Sequence, residues 1–145
     1  MTLRRLGLAA EGQTLSAWHL EAAIAACHAA ATNFDETDWK AIRQLYELLV
    51  QLRPSPVVAL NRAIAIGMAE GAEAGLDAIA RIEDLERLAR YPLLPAARAE
   101  FESRAGRFGR AAELLRAAVR LARNPAEEEV LTGKLSSTEG WMAPE

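Results

Sequence analysis

Apolar residues recur along this chain every three to four positions, the spacing of helices that bury one face. The first stripe is Leu20, Ile24, Cys27 and Ala31, which predicts a helix over roughly 17–31, broken by "TNFDET". The second is Trp39, Ile42, Tyr46 and Leu49, a helix from Asp38 to about Leu52 with Thr37 or Asp38 as its cap and Pro54 beyond its end. "SPVV" opens the third: Ser55 caps it and Pro56 takes the first helical position, where a missing N–H costs nothing. Leu60, Ile64 and Met68 carry that stripe and Gly71 closes it. A fourth helix, near Glu73 to Ala89, uses Leu76, Ile79, Ile82, Leu85 and Leu88. "YPLLP" connects it to a fifth that ends at Gly106, and a sixth runs from Arg107 to Arg123. In "NPAE" Asn124 caps a seventh, Pro125 follows, and Glu127 sits where a capping-box acid would. The pattern fades after Leu135, which predicts one helical domain over 1–135 and a frayed tail over 136–145. β-branched runs are nearly absent, so strands have little support.

Short connections make neighbouring helices antiparallel hairpins, so six helices form three pairs and the seventh covers the end. The hairpins also echo one another. Trp39 and Phe108 open matching helices 69 positions apart, the difference between 108 and 39. Two tetratricopeptide periods of about 34 residues account for that distance to within one residue. The middle copy falls near Glu73, in "EGAEAGLDAIARI", a glycine turn and a helix without the opening aromatic. In each complete copy the aromatic packs into the angle between two helices, and Ala111 or the larger Ile42 sets their approach. No single pair can bury its own face, so several must stack. The predicted fold is therefore all-α, a tetratricopeptide-like stack of three helical hairpins plus a C-terminal capping helix. An ordinary helical bundle is the competing arrangement.

Composition narrows the function. The chain has 145 residues, 51% hydrophobic and 26% charged, with a formal net charge of -3. That balance gives no reason to expect direct nucleic-acid binding. Seven arginines against three acids lie between Arg98 and Arg123, a candidate basic patch. Arg116, Arg120 and Arg123 fall opposite the Ala111–Leu114–Leu115–Ala118 stripe, however, as on a solvated face. The longest uncharged run, Ala22 to Phe34, is shorter than the roughly 20 apolar residues of a membrane span. "MTLRRLGLAAEG" reads as helix and not as a signal peptide, and the single Cys27 fits a reducing cytoplasm.

No constellation for catalysis stands out. His19 and His28 lie on one predicted helix, about 180° apart in direction and about 13 Å apart along its axis, so they do not share a metal. There is no phosphate loop, zincin motif or nucleophile–base order. The acids of "EDLE" and "EEE" read as solvated faces, the latter in a helix's first turn where negative charge is favoured. Neither a cofactor, a metal nor an enzymatic activity is expected.

Three stretches carry a family resemblance: "WHLEAAIAACHAAA" from Trp18, "TDWKAIRQLYELLVQLRPSPVVALNRAIAI" from Thr37, and "YPLLPAARAEFESRAGRFGRAAELLRAAVRLARNPAEEEVL" from Tyr91. Together they resemble the C-terminal extension of a subgroup of extracytoplasmic-function sigma factors of bacterial RNA polymerase, over roughly Leu3 to Leu135. "EAAIAACHA" and "PSPVVALNRAIA" are the specific phrases. In that family a promoter-reading front half is followed by a tetratricopeptide-like tail that tunes it. The front half has no counterpart here, so the resemblance implies a domain that does not start transcription on its own. It implies as partners the sigma-factor N-terminal domains, RNA polymerase, or both, with no direct nucleic acid and no membrane. A free-standing helical-repeat adaptor with an unrelated partner is the alternative.

A hairpin stack curves, and the first helix of each pair lines the inner face. Val58, Asn61, Ala65 and Met68 of the third helix, with Glu100 and Ser103 of the fifth, form the predicted partner-binding groove. Asn61, an amide in an apolar helix, either satisfies a nearby backbone group or awaits a ligand peptide.

Overall fold

The computed structural model describes residues 17–30 and 37–142, so the start "MTLRRLGLAAEG", Ala31, the "TNFDET" break up to Glu36 and the last three residues of the expected tail lie outside them. Among the described residues the chain is helical without strands: α1 (Ala17–Ala30), α2 (Trp39–Leu52), α3 (Pro56–Glu70), α4 (Ala72–Ala80), a 3-10 turn (Leu85–Leu88), α5 (Leu93–Arg104), α6 (Phe108–Leu121) and α7 (Pro125–Met142). Each α-helix packs mainly on its neighbours in sequence, and α3 also touches α5, the order of a helical-hairpin stack.

The caps follow from local chemistry. Asp38, not Thr37, caps α2 by accepting a hydrogen bond from the Ala41 amide at 3.1 Å. Ser55 Oγ accepts from the Val58 amide at 3.1 Å with Pro56 at the first position of α3. Asn124 accepts from the Glu127 amide at 2.8 Å. The Glu127 carboxylate bonds the amide of Arg123 at 2.9 Å, one residue earlier than a capping box requires. Gly71 joins α3 to α4 at φ 120°, a value that L side chains rarely adopt.

The core consists of three clusters arranged along the stack. Leu20, Ala23 and Ile24 of α1 meet Ile42, Leu45 and Leu49 of α2 and Ala65 of α3. Leu60 and Ala63 of α3 meet Ile79, Leu88, Leu94, Ala97 and Phe101. Ala99 of α5 meets Ala111, Leu114, Leu115 and Ala118 of α6 and Leu131 of α7. α3 and α5 therefore each bury two faces, one in each adjacent cluster, which is how stacked repeats share one continuous core.

The 69-residue echo is visible in this packing. α2 and α6 each have 14 residues and begin at Trp39 and Phe108. Ile42, Leu45 and Leu49 are buried in one, and Ala111, Leu114 and Ala118 at the same offsets in the other. Both aromatics are half-buried. The middle pair lacks an aromatic at the start of α4. There the ring that fills the angle between α3 and α4 comes from the next hairpin: Phe101 lies against Gly67 and Gly75.

Two boundaries depart from the sequence expectation. α4 stops at Ala80 instead of reaching Ala89. The chain turns at Asp84, whose φ of 58° is left-handed, and the 3-10 turn brings Leu88 back into the second cluster. An aspartate tolerates that conformation better than most side chains do. At the other end α7 does not fray after Leu135 but continues to Met142. Thr138 is buried, its hydroxyl donates to the Lys134 carbonyl at 2.8 Å, and Glu139 pairs with Arg116 of α6 at 2.9 Å. The two residues serve as packing and tether for a segment whose sequence is mostly polar.

Candidate protein-interaction surface

The two-faced character of α3 decides what its predicted groove residues do. Val58 and Ala65 face the first cluster, and Ala65 is fully buried, so it is core and not groove. Met68 packs at the edge of the second cluster. At about 100° per residue, Asn61 and Met68 share a strip between the two buried faces. Both are half-buried there. Glu100 and Ser103 take the corresponding strip on α5. The structure thus buries Ala65 and leaves Val58, Asn61, Met68, Glu100 and Ser103 partly accessible.

Glu100 and Ser103 do line a cleft, but its opposite wall is α7. Ala96 and Ala99 of α5, Leu115 of α6, and Val130, Gly133, Lys134, Ser137 and Thr138 of α7 complete it, enclosing about 440 Å³. A second cleft of about 440 Å³ adjoins it, lined by Tyr91, Pro92, Leu93 and Ala96 on one side and Arg123, Ala126, Glu127, Val130 and Leu131 on the other. Ala96 and Val130 border both, so the two form one trough along the α5–α7 seam. Val130 is 59% exposed. At the apolar end Arg123 lies over the Tyr91 ring at 5.5 Å and its guanidinium holds Glu127 at 2.6 Å. That contact keeps the Glu127 carboxyl below its usual range. At the polar end Glu100 is bound by Arg104 at 2.7 Å.

A cleft of about 570 Å³ opens on another side, between α2, α3, α4 and the turn after it. Its rim is a charge network. Arg62 Nε donates to Glu47 Oε1 at 2.7 Å, Arg43 approaches the other Glu47 oxygen at 3.6 Å, and Arg43 also pairs with Glu70. The hydrogen bond from Arg62, and then the two arginine charges, hold the Glu47 carboxyl below its ordinary value against the opposing effect of burial. A depressed carboxylate contributes stability above its unfolded pKa, about 4.3, and loses it as pH falls through the lower folded value. Glu47→Gln should therefore flatten the acid limb of the urea midpoint between about pH 5 and 3 relative to the wild type. An unchanged limb would mean that Glu47 does not anchor α2 to α3.

The arginine-rich stretch is largely neutralised within the chain. Arg104, Arg107, Arg110, Arg116 and Arg123 each pair with a glutamate. Arg107 bridges Glu102 and Glu73, tying the α5–α6 turn to α4. Arg116, Arg120 and Arg123 are exposed, opposite the buried stripe of α6, as a solvated face requires. Arg98 is half-buried, and burial followed by the nearby Arg110 disfavours its charge.

Cys27 and His28 have structural surroundings. Cys27 packs at the edge of the first cluster, where burial pushes its thiol up. The His28 ring meets Trp39 edge-on at 5.4 Å. No helix of the described residues is long and apolar enough to cross a membrane.

Comparison with known proteins adds a likeness. No family profile matches the chain. It is 42% identical over 111 residues to an uncharacterized protein of Rhizobium meliloti (strain 1021). The match covers 76% of this chain and 26% of that protein, so the chain spans about a quarter of the length of the curated relative it matches.

The residues that sequence reasoning missed are Tyr91, Val130 and Lys134. Tyr91 opens the "YPLLP" connector. Val130 and Lys134 lie on the capping helix, where Val130 ends the acidic run "EEEV" at an exposed position.

Proposed function

We propose that the chain is a regulatory protein-interaction domain of a bacterial extracytoplasmic-function sigma factor, acting in the cytoplasm on transcription initiation through docking and without chemistry of its own. One observation carries the reading. The two specific phrases, "EAAIAACHA" and "PSPVVALNRAIA", fall on α1 and on the start of α3, and Ala23 and Ile24 of the first meet Ala65 of the second in one packed cluster with α2. The resemblance to sigma-factor tails therefore covers a set of interlocking positions and not one helix alone. The match to part of a much longer protein fits a module that works within a larger assembly. The internally paired arginines support docking on protein over direct contact with DNA.

The test is co-purification of this chain with the promoter-reading half of such a sigma factor and, separately, with core RNA polymerase. Capture by one of them is expected, at a Kd in the micromolar range or below, about -8 kcal/mol. Mobility-shift assays of the chain alone at about 0.15 M salt should show no promoter preference, since screening over ~8 Å removes weak surface attraction. If neither sigma half nor polymerase is captured, a free-standing helical-repeat adaptor becomes the better reading.

A further inference from the structure

We propose that the trough between α5 and α7 binds an extended segment of a partner protein carrying one aliphatic side chain and, about four residues away, a carboxylate. The proposal deepens the docking reading and rests on it for the kind of partner, but the trough's own geometry fixes the chemistry. One end is apolar: Tyr91, Leu93 and the 59%-exposed Val130 surround a space of about 440 Å³. The charged groups there, Arg123 and Glu127, satisfy each other, so that end offers a partner apolar contact. An aliphatic side chain seated there would remove apolar surface from water.

The other end is polar, and its charge is unbalanced. Glu100 is held by Arg104, Glu127 by Arg123 and Glu139 by Arg116. Lys134 lines this end and, among the described residues, has no acidic partner. A carboxylate from outside complements it. Leu93 and Ser103 mark the two ends along α5, ten residues and so about 15 Å apart. An extended chain covers that distance in four to five residues at about 3.3 Å each. The small residues Ala96, Ala99 and Gly133 along the walls keep the middle open for a backbone.

The experiment titrates the isotope-labelled chain with capped synthetic pentapeptides, Leu-Ala-Ala-Ala-Asp and its reverse order, followed by NMR. Leu-Ala-Ala-Ala-Lys and its reverse serve as controls. Saturable shifts centred on Ala96, Val130 and Lys134 are expected with one aspartate peptide, at a Kd of about 1 mM or below. Its lysine counterpart should bind at least about threefold more weakly, the scale of an exposed ion pair. Lys134→Glu should invert that order, and Val130→Asp, at an exposed position, should abolish binding with helix content intact. No saturable shift at about 5 mM, shifts centred on Asn61 and Met68, or equal binding of the two charge types overturns the proposal. The chain alone is used, so failed capture of sigma factor or polymerase leaves this result standing. Successful capture with no peptide binding removes the trough and not the docking role.

Discussion

Replacing Phe101 by alanine is expected to destabilise the chain by about 3–5 kcal/mol, the cost of deleting a buried aromatic. Its ring is 1% exposed, among the largest fully buried side chains described. It belongs to α5 but fills the angle between α3 and α4, so its loss opens a cavity where two hairpins meet. Urea unfolding monitored by circular dichroism would measure the change, and the midpoint temperature should fall by about 10 °C or more. A double-mutant cycle makes the assignment specific. A Cβ added at Gly67 would sit 2.2, 2.5 and 2.8 Å from three atoms of the Phe101 ring, its three nearest neighbours. Gly67→Ala should therefore be costly in the wild type and cheaper by more than about 1 kcal/mol when Phe101 is already alanine, as expected for residues in contact. Additive costs would show that the ring does not occupy this position.

Gly75→Ala is expected to destabilise by about 1–3 kcal/mol through overpacking, even though alanine favours a helix over glycine by about 1 kcal/mol. Its Cβ would lie 2.6 Å from Phe101 Cε2 and 2.8 Å from the Gly67 Cα. The second contact is backbone, so α3 and α4 must separate to relieve it. For that reason Gly75→Ala should keep part of its cost in the Phe101→Ala background. Gly133→Ala is the counterpart: it lies within α7 and its Cβ would meet nothing within 4 Å. It should stabilise by about 0.4–1 kcal/mol, because alanine reduces the freedom of the unfolded chain. Thermal unfolding of the two variants with opposite shifts would confirm a close α3–α4 crossing. A stabilised Gly75→Ala would refute it.

Local chemistry made much of this fold legible in the sequence. Asp38, Ser55 and Asn124 cap their helices because each donor amide lies three residues from its acceptor, a relation that tertiary structure need not supply. The apolar stripes of α2 and α6 were readable because each of these helices buries one face, and their 69-residue echo survives as matching buried positions. α3 and α5 show where such reading ends. Periodicity tells which residues share a stripe, but a helix between two neighbours has two buried stripes, and only the stack decides which neighbour takes each. Ala65, on the expected groove stripe, is thus packed against α1 and α2, whereas Val58, Asn61 and Met68 stay partly accessible.

Tertiary packing also overrode the helix pattern after Ala80. Ile82, Leu85 and Leu88 suit a continued helix, yet a left-handed turn at Asp84 lets Leu88 be buried in the second cluster, and that burial outweighs the lost helical hydrogen bonds. Conversely, "SSTEGWM" carries a weak apolar signal, and α7 persists through it because Thr138 and Glu139 find partners on the helix itself and on α6. The α5–α7 trough follows from the seating of α7 beside α5. Its facing walls on α5 and α7 are about thirty or more positions apart in sequence, and Ser137 and Thr138 lengthen its polar end beyond Lys134. Sequence spacing within single helices determined the all-α hairpin stack and its caps. The shared faces of α3 and α5 and the seating of α7 beside α5, set by which surfaces meet in three dimensions, decided where the accessible clefts lie.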